Sequence, residues 1–288
     1  MTTATVSVVL PACNEAGAIG GVIGGVRSVL GPEAEILVVD DGSTDATAAE
    51  AARAGAVVVR HPYRIGNGAA IKTGLRRARG AVIVLMDADG QHDPRDIPKL
   101  LAALETHDLA VGARQAGSAG GWHRHVANAI YNGFASYITG RPIADLTSGF
   151  RAVRRDVVRP LIYLLPNTFS YPTTLTLAVL RVGRSLAYVP ITARARAGQS
   201  KIRLAVDGSR FFLILLKVAT LFAPMRVFLP ASLLCLSTGL VYYSYTFATA
   251  HRFTNMSALL FTTGVTIFLL GLVAEEIAQL RFERSEES

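Results

Sequence analysis

Two stretches near the C-terminus, residues 227–248 and 253–274, each run for 22 residues without a charged side chain. A helix that crosses the hydrocarbon core of a bilayer needs about 20 such residues, and core helices of soluble domains are usually shorter. The two runs therefore read as a pair of spanning helices. Pro230 is tolerable near the start of the first, and Tyr242, Tyr243 and Tyr245 suit a membrane–water interface. His251 and Arg252 mark a short turn between the runs. The competing reading is a helical hairpin buried in a soluble core.

The residues leading into the first run are strongly basic: Arg194, Arg196, Lys201, Arg203, Arg210, Lys217 and Arg226 stand against Asp207 alone. Basic residues beside a span stay on the cytosolic side. Two spans then return the tail to that side, so the chain reads as a multi-pass protein of the cell membrane with both termini cytosolic. The N-terminus has no basic segment followed by a long apolar one, which argues against a signal peptide. The net charge of +8 fits an anionic lipid surface or phosphorylated substrates. A nucleic-acid partner is not expected, because no basic stripe interleaved with aromatics and no known binding module occurs. The two cysteines, Cys13 and Cys235, are too few for a zinc site and badly placed for a disulfide.

Residues 1–204 look different. Short β-branched runs at 6–10, 35–39, 56–60, 81–86, 109–112 and 187–191 alternate with helical patterns at 16–30, 44–54, 68–79, 96–105, 122–137, 153–165 and 172–182. Ser43 or Thr44 is a plausible cap for the second helix. Alternation of this kind implies an α/β fold with a mostly parallel sheet covered on both faces. Residues 205–226, where charges interrupt an apolar pattern, suit a helix lying in the membrane interface. The expected organisation is a catalytic domain at 1–204, a juxtamembrane amphipathic segment at 205–226, a transmembrane hairpin at 227–280 and a cytosolic tail at 281–288.

In such sheets ligands bind beyond the carboxyl ends of the strands. Two acidic pairs sit there, Asp40-Asp41 after the second strand and Asp87-Ala88-Asp89 after the fourth. Hard divalent cations take one or two carboxylates and complete their shell with substrate phosphates. Gln91 offers a neutral oxygen to the same centre. A polar turn would use the same residue types, and the second acidic strand end favours the site over the turn. Asn128 shares a helix face with Arg124 and Asn132 by its spacing of four. Phe169-Ser170-Tyr171 is a candidate wall of an acceptor groove.

Five segments, in order, resemble family 2 glycosyltransferases of the dolichol-phosphate mannose synthase type, which have the GT-A, Rossmann-like fold. They are Pro11-Ala12-Cys13-Asn14-Glu15, Asp40-Asp41-Gly42-Ser43, Asp87-Ala88-Asp89-Gly90-Gln91-His92, Ser148-Gly149-Phe150-Arg151 and Gln199-Ser200-Lys201. The resemblance spans residues 5 to about 204. It implies that Pro11, Asn14, Glu15, Asp41, Asp87 and Ala88 bind the nucleotide-sugar, and that Asp89 and Gln91 hold Mg²⁺ or Mn²⁺. It also implies that Arg114, Arg124 and either Arg194 or Arg196 meet the sugar diphosphate or a lipid phosphate. Asn128 stands near that phosphate, where some relatives carry serine. The implied acceptor is a polyprenyl phosphate, and homo-oligomers through the membrane segments are known among relatives.

The chemistry follows from charge. A phosphate monoester has a second pKa of about 6 and is largely ionised at neutral pH, so it needs no general base. Direct displacement with inversion is expected, with Arg151 and Lys201 as further candidates to hold the acceptor phosphate. Two rivals remain. A processive polysaccharide synthase would carry a Q-x-x-R-W motif, and Trp122 is the one tryptophan present. A non-catalytic membrane subunit would have no use for the intact acidic pairs.

Overall fold

The computed structural model describes residues 6–114, 122–167, 170–192, 216–217 and 219–286, with the side chains of 122–128 and 284–286 outside the description. The backbone divides into two compact units, Met1–Lys201 and Ile202–Ser288.

The first unit is built on a seven-stranded sheet. Its strands are β1 (Val6–Ala12), β2 (Glu35–Asp40), β3 (Val57–Arg60), β4 (Val82–Leu85), β5 (Leu109–Arg114), β6 (Arg151–Arg154) and β7 (Leu186–Ile191), in the spatial order β3-β2-β1-β4-β6-β5-β7. All neighbours run parallel except the two pairs that include β6. The helices of this unit are α1 (Ala16–Leu30), α2 (Thr47–Arg53), α3 (Asn67–Arg77), α4 (Ile97–Ala103), α5 (Trp122–Thr139), α6 (Arg155–Val158) and α7 (Tyr171–Arg181).

The central strands are buried on both faces, as their unbroken apolar runs require. Val8 and Leu10 of β1, Ile36 and Val38 of β2 and Val84 of β4 form one core with Ile19, Ile23 and Val26 of α1 and Leu100 of α4. Ile19, Val22, Ile23 and Val26 recur at helical spacing, so α1 buries one stripe; Gly17, Gly21 and Gly24 are exposed, while Gly25 packs against Pro94.

Two expectations change. The pattern at 153–165 predicts one helix, but the segment opens as β6, continues through the short α6 and ends in a 3₁₀ stretch, Arg159–Leu164. Helix α2 begins at Thr47, not after a Ser43 or Thr44 cap. The Ser43 hydroxyl instead accepts from Asn14 N at 3.0 Å, and Thr44 N donates to the Asn14 side chain at 2.9 Å.

Strand β6 reverses the local direction of the sheet. Because it is antiparallel, it presents its N-terminal end where its neighbours present their C-terminal ends. The register pairs Arg151 with Leu85 of β4 and with Val111 of β5. The segment preceding β6 is thereby delivered beside Asp87.

The second unit contains two long helices, α8 (Met225–Ala250) and α9 (Asn255–Glu286). Both are long and apolar enough to cross a membrane. Ser232 Oγ donates to Gly264 O at 2.8 Å, where a side chain on Gly264 would strike Leu236. Only 11% and 17% of their apolar windows are buried, which disfavours the soluble-core hairpin. Residues 205–215 lie outside the described residues.

Candidate active site

The carboxyl edge of the sheet is assembled from four loops. The first two, following β1 and β2, are joined by hydrogen bonds. Asn14 adopts a left-handed conformation with φ of 60°, which Asn tolerates better than most residues. Its Oδ1 then faces Thr44 N while its own N–H reaches Ser43. Glu15 N donates to Thr47 Oγ1 at 2.8 Å, and Asp45 accepts from Ala16 N at 3.2 Å. Pro11 is buried within β1 opposite Val39.

Asp40 and Asp41 divide their work. Asp40 is wholly buried. It accepts from Ser43 N at 2.9 Å and lies 3.2 Å from Arg60 Nε. Asp41 braces the third loop: it accepts from Ile65 N at 2.9 Å, Gly66 N at 2.8 Å and His61 Nδ1 at 2.8 Å. His61 Nε2 lies 2.9 Å from Thr73 Oγ1, so the ring is held through both nitrogens. A carboxylate has about four acceptor sites, and these bonds occupy three of them on Asp41. Gly42, with φ of 70°, lies so close to this loop that a Cβ would be 2.5 Å from the Tyr63 carbonyl carbon.

That third loop contains a residue that the sequence pattern does not single out. Arg64 is exposed and lies close enough to Cys13 for its charge to oppose the upward push that burial gives the thiol. It has no hydrogen-bond or ion-pair partner among the described residues. Nothing in the local pattern marks Arg64, because its position depends on the Asp41 brace.

The fourth loop carries Asp87, Ala88, Asp89, Gly90, Gln91 and His92. Ala88 is buried, and Asp89 Oδ1 accepts from Gln91 N at 3.1 Å across Gly90. His92 is buried and stacks on Phe150 with ring centroids 5.1 Å apart. Burial holds the imidazole below its ordinary pKa, against the opposite pull of Asp87 and Asp89. Among the described residues no three His, Cys, Asp or Glu side chains form a metal cage. Two carboxylates and an amide oxygen suit a hard cation whose shell is completed by phosphates and water.

The segment before β6 forms the wall opposite Asp87. A Cβ on Gly149 would lie 2.8 Å from Asp87 Oδ2, so only glycine allows this approach. Asp145 anchors the segment through Ser148 N and Thr147 N, both at 3.1 Å, and through a two-pronged pair with Arg114, Nε–Oδ2 2.8 Å and Nη2–Oδ1 3.0 Å. Burial works to raise the Asp145 carboxyl, but the Arg114 hydrogen bonds and charge outweigh it and hold the pKa below the usual value. Asn132 of α5 clamps the same segment, donating to Ala144 O at 2.7 Å and accepting from Leu146 N at 3.1 Å.

Arg151 thus differs from expectation. Arg151 is fully buried and donates to Ser148 O at 2.6 Å, Leu146 O at 3.0 Å and Thr176 Oγ1 at 2.7 Å. It is a strut for the wall and does not reach an acceptor phosphate, because every nitrogen is spent inside the fold. Arg114 spends two nitrogens on Asp145 and donates from Nη2 to Thr147 Oγ1 at 2.6 Å as well. Tyr171 is likewise buried, and its hydroxyl donates to Gly149 O at 3.3 Å. Arg124 and Asn128 lie on the backbone of α5 with side chains outside the description, and Phe169, Arg194, Arg196 and Lys201 lie outside the described residues.

Residues 7–162 match the model of glycosyl transferase family 2, and residues 223–280 match that of the GtrB C-terminal hairpin. The chain belongs to glycosyltransferase family 2. It is 33% identical to undecaprenyl-phosphate mannosyltransferase of Micrococcus luteus over 69% of this chain and 88% of that protein. It is 34% identical to polyprenol monophosphomannose synthase of Mycolicibacterium smegmatis over 74% of this chain and 84% of that protein. Its catalytic unit has the GT-A fold. A solved neighbour is glucosyl-3-phosphoglycerate synthase from Mycobacterium tuberculosis in complex with Mn²⁺ and UDP-glucose. It has a TM-score of 0.63 and 25% identity, and the match covers 75% of this chain and 79% of that one. The family 2 glycosyltransferase is an enzyme, and the acidic loop at Asp87 lies within its matched region.

Proposed function

We propose that this glycosyltransferase moves a sugar from a UDP- or GDP-sugar to a polyprenyl phosphate at the cytosolic face of a membrane, with inversion at the anomeric carbon. The observation that carries the reading is the pairing of the acidic Asp87–Gln91 loop beyond β4 with a hairpin of the GtrB type in one chain. The named relatives act on undecaprenyl phosphate and make polyprenol monophosphomannose, which supports the acceptor class.

In this reading the zipped loops at Asn14 and Thr44 and Asp41 hold the nucleoside. Asp89 and Gln91 would hold Mg²⁺ or Mn²⁺, with Asp87 facing the nucleotide. The cation would supply charge neutralisation for the departing diphosphate. Arg64, with its charge unspent, is placed to add a second positive group to the same leaving group. The acceptor phosphate is already an anion and attacks directly. Arg124, Asn128, Arg194, Arg196 and Lys201 are proposed to hold it in line, and Arg151 to support the wall against which Asp87 rests.

The test is a membrane assay with UDP- and GDP-sugars, mannose and glucose among them, and a short polyprenyl phosphate. Label should enter organic-extractable lipid in a metal-dependent way, and Asp89→Ala should abolish transfer while leaving membrane insertion intact. Transfer undiminished in Asp89→Ala would refute the metal assignment. No transfer from any donor would favour the non-catalytic subunit.

A further inference from the structure

We propose that a second anion site lies at the opposite edge of the sheet and that its ligand is an organic phosphate. There a cavity of about 540 Å³ has a floor of Ala81, Val82 and Leu104 and a rim of Arg154, Arg155 and Arg159. The register Val82↔Arg154 puts it where β4 begins and β6 ends. Asp87 lies five residues further along the same chain, about 16 Å away at the rise of an extended strand. Nothing in the proposed transfer reaction uses this edge.

The backbone sets the rim firmly. Arg154 N donates to Asp108 O at 3.2 Å, and Arg155 N donates to Ala81 O at 2.9 Å. Arg155 Nη1 donates to Arg79 O at 2.9 Å, which leaves its other nitrogens available. Charge on the rim is only partly compensated: the charge of Arg154 acts on Asp108, whose pKa it helps to lower. Among the described residues Asp156 is the carboxylate that lines the cavity itself. It is 3.8 Å from Arg154, and its side chain is 70% exposed. An exposed pair of that length contributes little. Arg159 is exposed and has no partner among the described residues.

Three arginines line one concavity, and like charges gathered there repel one another unless an anion or solvent screens them. Their planar donors match phosphate oxygens in pairs. The volume falls in the range of small-molecule pockets and is generous for a bare inorganic ion. The floor of Ala81, Val82 and Leu104 would meet an apolar or ring-bearing part. The shared chemistry is therefore a phosphate monoester or diester attached to a less polar body, supplied by a free metabolite or by a lipid headgroup.

Hydrogen–deuterium exchange on the full-length protein in detergent micelles tests this. UMP, GMP and glycerol phosphate are added singly at millimolar concentration, and phosphatidylglycerol vesicles form a separate arm. Binding at the donor loops is read in peptides covering residues 40–47 and 87–92, and binding here in peptides covering 153–160. We expect protection of 153–160, with affinity weakened at least about tenfold, or ~1.4 kcal/mol, in Arg154→Gln/Arg159→Gln. Both side chains are exposed, so the fold should be retained, and Arg159→Gln alone serves if the double variant melts early. Protection by a soluble probe identifies a metabolite site, and protection by vesicles alone identifies a headgroup site. No protection of 153–160 by any probe, or equal protection in the variants, overturns the proposal.

Discussion

At the scale of single residues, the position of Asp87 depends on a missing side chain. The Gly149 Cα faces the Asp87 carboxylate so closely that a methyl group would sit 2.8 Å from Oδ2. Gly149→Ala should push Asp87 from its place and lower kcat by about 10²-fold, the scale of a misplaced group near 1 Å. The melting temperature should change little. Gly133→Ala, on α5 with nothing within 4 Å of the added carbon, should leave the rate unchanged and serves as the control. Equal activity of Gly149→Ala and wild type would show that Asp87 tolerates displacement. Arg64 gives a second test. Removing one unspent cation from a developing diphosphate should cost kcat/KM about 10²-fold in Arg64→Ala, within the range for a lost charge-stabilising donor. Arg64→Lys should recover part of that loss. A loss confined to stability would assign Arg64 to the loop instead.

Among elements, the connector between α5 and β6 is organised by one carboxylate. Asp145 accepts six hydrogen bonds, three from Arg114, two from Thr147 and one from Ser148. Asp145→Asn leaves a partly buried guanidinium without its counter-ion and should destabilise the chain by about 3 kcal/mol. The pH dependence has a defined sign. The folded Asp145 pKa is depressed, so its contribution is complete above the unfolded value of about 3.9. It disappears as pH falls through the lower folded value. The difference in melting temperature between wild type and Asp145→Asn should therefore shrink on acidification below about pH 4. A difference that stays constant as pH falls on through the lower folded value would remove Asp145 as its source.

The connector also shows where sequence reasoning succeeds and where it stops. The central parallel strands β1, β2 and β4 were legible because each is a buried apolar run ending in a polar turn. Strand β6 was not, since its four residues begin and end with arginine and none of its pairing partners is local. The Asp87–Gln91 loop could be placed from its strand. The interior role of Arg151 could not, because a charge that is buried looks the same in sequence as one that is solvated. Arg64 escaped for a related reason: its position follows from Asp41, which lies 23 residues earlier in the chain.

For the whole molecule, the deciding question is whether the hairpin meets lipid. Leu233, Leu234, Leu240 and Val241 of α8 and Leu269, Leu270 and Val273 of α9 all expose more than half of their surface. So much outward apolar surface on two adjoining helices exceeds what a soluble monomer usually shows, and the interior positions are occupied by the Ser232–Gly264 contact. If those outward faces lie in the hydrocarbon, a central charge is costly, about 3 kcal/mol for one arginine by insertion measurements. Leu234 is 68% exposed within α8. Leu234→Arg should therefore reduce the fraction of the chain that resists alkaline carbonate extraction, and Leu234→Ala should not. Transfer to a long polyprenyl phosphate in vesicles should fall with that fraction. Transfer to a short, water-dispersed prenyl phosphate should persist, because the GT-A unit's own core contains none of the hairpin residues. If Leu234→Arg stays fully embedded, α8 does not place this face in lipid. If both acceptors fail together while the chain remains embedded, the hairpin contributes to catalysis and not merely to meeting a lipid-borne substrate.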